Sequence, residues 1–347
     1  MGSPEYTVLV QPHGRRITVA ADQPILESAL AAGLNLPHSC KSGHCSSCRV
    51  LLRAGQIEYP NGIPLGVTAE EAAAGKILLC QARARSDLVV EARLIASVTD
   101  VEIKTLPCRI AQITPLAPDV MQVFLRLPVV ERLEFQPGQY LDILLDRGRR
   151  RSFSIASPPH DSELLELHIR RVPGGQFTDG LWDTPPVGSL LKIEGPIGQF
   201  VYRDAPSPLL MIAGGTGFAP LKSMLRHILE RGIDRPVHLY WGARQAHDVY
   251  EEALVLEWVR RYPQLRLTVV LSEATETPYR VGWVHEAVMA DYPNLEPFDI
   301  YAAGPPALVE AIRAEYPRHG ARQDRLFFDS FDYANEGNAA TQPGSDS

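Results

Sequence analysis

Cys40, Cys45 and Cys48 stand in the spacing C-x4-C-x2-C, and a fourth thiol, Cys80, follows at a distance in Leu78-Leu79-Cys80-Gln81. Thiolates so spaced suit a plant-type [2Fe-2S] cluster. The residues between them, Lys41, Ser42, Gly43, His44, Ser46 and Ser47, are small, polar or helix-averse. They let the loop wrap closely and turn backbone N–H groups toward the sulfurs, which stabilises a reduced, more negative centre. A tetrahedral zinc ion is the alternative occupant of four cysteines, although zinc usually takes paired short spacings. The fifth thiol, Cys108, reads as a small buried hydrophobe.

Three further groups suit anionic cofactors. Arg151-Ser152-Phe153-Ser154 follows a strand and a basic turn. Its guanidinium offers phosphate a bidentate fork, against the plainer reading of a basic surface strand. Gly174-Gly175-Gln176-Phe177-Thr178, continued by Leu181 and Trp182, reads as a glycine turn opening a short helix, which aims several N–H groups at one anion. Gly214-Gly215-Thr216-Gly217-Phe218-Ala219-Pro220 lies between an apolar strand and an amphipathic helix, where a glycine turn lets phosphate approach the helix start. It departs from the G-x-G-x-x-G dinucleotide fingerprint.

The elements that must position these groups fall into three blocks. Thr7 to Gln11 and Arg16 to Ala20 alternate like a hairpin around Pro12, His13 and Gly14. A helix is expected over Pro24 to Ala32, with Asp22 as cap, Ile25, Ala29 and Leu30 on one face and Gly33 as its stop. After an extended stretch near Val98 to Leu106, short strands punctuated by Pro and Gly run to residue 203 and suggest a barrel. From Pro208 the pattern becomes strand, glycine loop and helix: Leu209 to Ala213, then Leu221, Met224, Leu225, Ile228 and Leu229 at helical spacing, then Gly232. Strands near Val237 to Trp241, Leu267 to Leu271 and Ile300 to Ala303 repeat the alternation of a parallel α/β domain. The expected boundaries are 1–98, a linker at 99–105, then 106–204 and 205–334, with a disordered tail over 335–347.

Composition narrows the class. At 347 residues the chain exceeds one comfortable core and suits three domains. The net charge of −7 disfavours nucleic acid and anionic membranes, which select clustered Lys and Arg. That acidity lies beyond residue 100, because the first hundred residues carry equal numbers of acidic and basic side chains. No apolar run approaches the roughly 18 residues of a membrane span, and the start, MGSPEYTVLV, does not read as a secretory signal. A soluble, cytoplasmic, monomeric protein is expected.

Pro37-His38-Ser39-Cys40-Lys41-Ser42-Gly43-His44-Cys45-Ser46-Ser47-Cys48 resembles the cluster loop of plant-type ferredoxins, over roughly residues 5 to 98. Arg151-Ser152-Phe153-Ser154 resembles the R-x-[YF]-[ST] signature of the ferredoxin-NADP reductase superfamily, and the glycine turn at Gly214 resembles its G-G-T-G-x-A-P turn. The resemblance implies a multidomain α+β and α/β chain: a β-grasp ferredoxin domain, an antiparallel β-barrel flavin domain and a parallel α/β nucleotide-binding domain. It implies FAD as the flavin. Arg151 and the turn from Gly174 to Thr178 would hold its pyrophosphate, Phe153 would cover it, and Ser154 would lie near N5. His168, on the strand Leu165 to Arg170, would lie on the adenosine side.

Ala302-Ala303-Gly304-Pro305-Pro306 is similar to the C-G-P-P turn that borders the nicotinamide in that superfamily, with Ala303 in place of the cysteine. Asp329-Ser330-Phe331 matches its acid-x-aromatic ending, which sets Phe331 beside the isoalloxazine. Ser154, Asp329 and Thr216 are therefore the candidate catalytic side chains. Tyr240-Trp241-Gly242-Ala243-Arg244 ends the strand that contacts the adenosine ribose in a doubly wound fold. A 2′-phosphate wants several basic groups there. Arg244 instead has His247, Asp248, Glu251 and Glu252 close behind, which favours NADH over NADPH.

The domain order resembles the reductases of bacterial multicomponent oxygenases. Within them, Ile103-Lys104-Thr105-Leu106-Pro107-Cys108-Arg109 and Arg151 to Ala156 resemble CDP-6-deoxy-3,4-glucoseen reductase-like proteins. The implied partner is a terminal oxygenase or another electron-accepting protein, such as the cofactor-dependent dehydrase of deoxysugar synthesis. Ala303 leaves a third alternative, an inactive zinc-stabilised binding protein.

Overall fold

The computed structural model describes residues 3–34, 36–38, 41, 43, 48–64, 66–92, 103–146, 149–161, 163–172, 176–183 and 187–330. Cys40, Cys45, Gly174, Gly175, Phe331, most of the expected linker and the expected tail lie outside these residues, as does the side chain of Gln176.

The first unit comprises β1 (Glu5–Gln11), β2 (Arg15–Ala20), α1 (Ile25–Ala31), β3 (Arg49–Ala54), β4 (Ile57–Glu58), α2 (Ala69–Ala73), β5 (Lys76–Leu78), β6 (Arg83–Ala84) and β7 (Leu88–Glu91). Period-two alternation buries Val8, Val10, Ile17 and Val19 in one core with Ile25, Leu26 and Ala29 of α1. The sheet order is β2-β1-β7-β3-β5, with β1 and β7 parallel, the pattern of a β-grasp. The helix begins after Pro24, which makes no side-chain cap, so Asp22 is not the cap the sequence suggested. Pro24 itself occupies the cap position, and the first helical N–H groups are satisfied from outside, Ile25 N donating to Ala82 O at 3.0 Å and Leu26 N to Leu79 O at 2.9 Å. Gly33 ends the helix at φ +72°, a left-handed conformation in which glycine meets no side-chain penalty.

The second unit holds β8 (Lys104–Ala117), β9 (Val120–Arg126), β10 (Tyr140–Leu144), β11 (Arg150–Ser154), β12 (Leu164–Arg170), α3 (Gln176–Asp183) and β13 (Leu190–Ile197). The antiparallel order β11-β10-β13-β8-β9-β12 leaves β11 and β12 as edges. A bridge between Ile155 and Leu167 joins those edges and closes the barrel. Cys108 is buried in its core, where desolvation pushes the thiol up to about 12, so it stays protonated. Strand β8 begins at Lys104, inside the stretch expected as linker.

The third unit runs β14 (Leu209–Gly214), α4 (Phe218–Glu230), β15 (Val237–Ala243), α5 (Glu252–Arg261), β16 (Leu265–Leu271), β17 (Arg280–Val281), α6 (Val284–Asp291), β18 (Asp299–Gly304), α7 (Pro306–Glu315) and β19 (Leu326–Ser330). All its pairings are parallel, in the order β17-β16-β15-β14-β18-β19. Strand β14 is apolar throughout because helices cover both faces. Leu209, Met211 and Ala213 enter the core with Leu221, Met224, Leu225, Ile228 and Leu229 of α4, while Leu210 and Ile212 enter the opposite core with Val288 and Ile312. The order reverses between β14 and β18, and a doubly wound sheet binds ligands at the carboxyl ends of such strands. Among the described residues no helix is long and apolar enough to cross a membrane.

Candidate active site and nucleotide cleft

At the reversal point two turns pack backbone against backbone. A Cβ on Gly217 would lie 1.9 Å from the Ala303 carbonyl oxygen, and one on Gly304 would lie 2.9 Å from Gly214 Cα. Only hydrogen fits at these contacts, so both glycine turns are dictated by the approach of β14 to β18. Thr216 sits between them in a tight turn, and Trp241 Nε1 donates to the Gly215 carbonyl at 3.2 Å. Ala303 is fully buried among the core side chains below. A cleft of about 500 Å³ opens beside the turns, lined by Arg170, Gly215, Arg244, Asp248, Trp283 and Pro305 among others.

Strand β11 brings the barrel to the same place. Ser154 pairs with Tyr140 in the ladder and is buried, and its hydroxyl donates to Asp329 Oδ2 at 3.4 Å across 175 residues of sequence. Asp329 lies opposite Ala303, and Ser330 opposite Gly304. The buried Ser330 hydroxyl has no hydrogen-bond partner among the described residues, as expected where a bound group completes the set. Ser154, Asp329 and Gly304-Pro305 thus converge, and Thr216 lies on the adjoining turn.

Arg151 and Phe153 alternate onto one face of β11. The Phe153 ring lies 5.9 Å from that of Phe177, at the start of α3. Thr178 Oγ1 accepts from Val172 N at 3.2 Å and donates to Val172 O at 3.1 Å, pinning the helix start to the end of β12. An orphaned hydroxyl and, beside Phe153, the start of a helix fit a flavin carrying a pyrophosphate.

His168 does not join this group. It is buried in the seam between barrel and nucleotide unit, where Nδ1 meets Tyr250 Oη and Nε2 meets Glu166 Oε1, each at 3.0 Å. Lys222 of α4 donates to Glu166 at 2.8 Å and to Glu251 at 2.6 and 2.8 Å. The ligand-type atoms of Glu166, His168 and Glu251 lie within 4.8 Å of one another, and the ammonium supplies the cation they surround. Burial alone would raise the Glu166 carboxyl. The His168 hydrogen bond and the Lys222 charge overcome it and hold the group well below the usual carboxylate range.

Sequence reasoning missed Lys222 and Glu166. The signal was present: Lys222 lies on the apolar stripe of α4, four residues after Phe218 and three before Leu225, where a solvated lysine does not belong.

In the first unit, Cys48 and Cys80 are both buried, and Leu79 N donates to Cys48 O at 3.2 Å. The loop that carries the cysteines turns through Lys41 at φ +53° and Gly43 at φ +87°. A Cβ on Gly43 would lie 2.8 Å from Gln81 Cγ. Gln81 Nε2 donates to Lys41 O at 2.9 Å, so the residue after Cys80 clamps that loop, a second role the sequence did not announce. Two buried thiols, with left-handed backbone in the loop before the first and a side-chain clamp on that loop from the residue after the second, fit a cluster wrapped by amide groups. Among the described residues, Arg313 of α7 joins this unit to the nucleotide unit, donating to Gly66 O at 3.2 Å and lying 3.6 Å from Glu71.

Family models match each unit in turn: a 2Fe-2S iron-sulfur cluster binding domain over residues 8–85, an oxidoreductase FAD-binding domain over 107–202 and an oxidoreductase NAD-binding domain over 211–314. The CDP-6-deoxy-L-threo-D-glycero-4-hexulose-3-dehydrase reductase of Yersinia pestis is 34% identical over 93% of this chain and 98% of its own. The chain belongs to the ferredoxin-NADP reductase superfamily.

Within that superfamily, the reductase component 1 of terephthalate 1,2-dioxygenase from Comamonas sp. is 35% identical over 90% of this chain and 93% of its own. The structure is similar to that of the Amycolatopsis cytochrome P450 reductase GcoB, with a TM-score of 0.75 and 34% identity over 94% of this chain and 98% of that one. The superfamily member described here is an oxidoreductase that uses NADH, FAD and a [2Fe-2S] cluster. A cluster domain in place of a zinc module, and matching reductases along the whole chain, remove the reading of an inactive zinc-stabilised binding protein.

Proposed function

We propose that the chain is the reductase component of a multicomponent oxygenase, oxidising NADH and delivering electrons one at a time to a separate oxygenase protein. FAD, when bound, accepts a hydride from NADH and passes single electrons to the cluster. The observation that carries the reading is the Ser154–Asp329 hydrogen bond, because it sets a barrel residue against the strand beside the nicotinamide turn. Ser154 and Asp329 hold a proton at the junction where the two ring systems would meet. Gly214, Gly217 and Gly304 let the two turns close on each other at the edge of the cleft, where the dinucleotide would meet backbone. Arg151 and the residues Gly174 to Thr178 hold the flavin pyrophosphate, and Cys40, Cys45, Cys48 and Cys80 ligate the cluster.

The match to a dehydrase reductase favours a second reading, in which the acceptor is a cofactor-dependent dehydrase of deoxysugar synthesis. Both readings share NADH oxidation, so dye reduction does not separate them. The test supplies NADH, the holoenzyme and either a purified Rieske or di-iron oxygenase or a purified dehydrase, and follows product. Oxygenase turnover dependent on this chain supports the first reading, and turnover of the dehydrase alone replaces it with the second.

A further inference from the structure

Arg244 directly follows β15, where a doubly wound fold meets the adenosine ribose. An arginine there would ordinarily invite a 2′-phosphate. Here it stands between two carboxylates: its Nε lies 3.6 Å from Asp248 Oδ2, and its NH2 lies 3.7 Å from Asp119 Oδ2. Asp248 belongs to the nucleotide unit and is held by Gln245 N, which donates to it at 3.1 Å. Asp119 comes from the other domain, in the turn between β8 and β9 of the barrel. Its backbone carbonyl accepts from Arg171 N at 2.8 Å, so the turn is fixed to the strand that carries Arg170.

Asp119 also faces Arg170, whose Nε lies 3.6 Å away. These contacts are within ion-pair range but are not hydrogen bonds: Arg170 Nε and NH2 and Asp119 Oδ1 are buried without a hydrogen-bond partner. The Arg170 guanidinium lies against Gly215, 3.4 Å from where a Cβ would stand, and faces the cleft beside the glycine turn. Two arginines and two aspartates thus leave the mouth of the cleft without net charge. Arg170 retains open N–H groups toward the turn, whereas Arg244 is half-exposed with a carboxylate on either side, one of them shared with Arg170.

We propose that Asp119, a residue of the flavin barrel, is a specificity-determining residue that sets the preference for NADH over NADPH by cancelling the charge of Arg244 across the domain seam. The inference rests on the NADH-oxidising reading and deepens it. A 2′-phosphate entering beside Arg244 meets the Asp119 and Asp248 carboxylates, and their repulsion offsets its attraction to the guanidinium. The ribose 2′-hydroxyl of NADH brings no such charge.

The test compares the FAD- and cluster-loaded wild type with Asp119→Asn, which removes the charge and keeps the shape and the backbone bond. Asp119→Ser serves as a second variant, and flavin content and melting temperature establish folding. Calorimetric affinities for 2′-phospho-AMP and AMP are measured beside KM and kcat for NADPH and NADH. The affinity ratio is expected to move about tenfold toward 2′-phospho-AMP, which corresponds to about 1.4 kcal/mol, and the NADPH change should fall in KM rather than kcat. In Asp119→Asn/Arg244→Ala the gain should vanish. An unchanged ratio, an equal change for both nucleotides, or a gain that survives loss of Arg244 would overturn the inference. A wild type that oxidises neither dinucleotide would instead sink the reductase reading on which it stands.

Discussion

The two seams of this molecule are built differently. Between barrel and nucleotide unit, Lys222, Glu166, Glu251 and His168 are withdrawn from water, and the Ser154–Asp329 bond lies beyond them. Between cluster unit and nucleotide unit, the described polar contact is Arg313 reaching a backbone carbonyl and a partly exposed Glu71 already shared with Arg49 and Lys76. The chemistry of each seam explains the difference. Hydride transfer requires reacting atoms held at near-attack distance, where a displacement of about 1 Å can cost about a hundredfold in rate. An electron hop has no bond to align, and the cluster must also present itself to an outside partner. A buried network serves the first, and among the described residues the second is met at a part-exposed edge around Arg313 and Glu71.

The largest expected effect breaks the buried network. Lys222→Met keeps most of the apolar stem, one atom shorter, but leaves two carboxylates facing each other out of water. We expect a loss of about 3–5 kcal/mol of stability, read as a lower melting temperature and release of FAD on dilution. A variant that melts with the wild type would show that the network does not hold the seam.

Acid should act on the same seam. The folded Glu166 carboxyl lies below its unfolded value of about 4.3, so its stabilisation is fully present above that pH and is lost as pH falls through the folded value. The melting temperature of the wild type should therefore fall more steeply below about pH 4.5 than that of Glu166→Gln. His238, pulled down to about 4 by burial and by Arg266, weakens the fold over the window between its unfolded value and 4. That loss is common to both proteins and cancels in the comparison.

The smallest stability effect should come from the other seam. Arg313→Ala should cost no more than about 1 kcal/mol and leave NADH-to-ferricyanide turnover at the wild-type rate, while the cluster bleaches several-fold more slowly after NADH is added. Equal slowing of dye and cluster reduction would show that the two seams are one mechanical unit.

What was legible in the sequence follows the same division. The alternation of Val8, Val10, Ile17 and Val19, the stripe on α4 and the glycines at 214–217 and 304 report local periodicity or backbone approach, and those requirements are written residue by residue. The Ser154–Asp329 pair was foreseeable through resemblance alone, since nothing local links residues 175 apart. Of the seam network only Lys222 left a signal, an ammonium on the apolar stripe of α4; its partners, two glutamates and a strand histidine, are ordinary by themselves. Only tertiary packing puts them together, and it seats His168, expected on the adenosine side, between Tyr250 and Glu166. The cap at α1 was misread because Asp22 is a good cap by type, while the carbonyls of Leu79 and Ala82, distant in sequence, already take the first helical N–H groups.

The most direct test of the account is anaerobic titration of the as-purified protein with NADH, followed by visible absorbance and by electron paramagnetic resonance. The account predicts bleaching of a flavin band and of broad iron-sulfur bands within one chain, with a reduced [2Fe-2S] signal appearing as NADH is consumed. A colourless, zinc-containing protein, or a flavin that bleaches while the iron-sulfur bands stay unchanged, would contradict it.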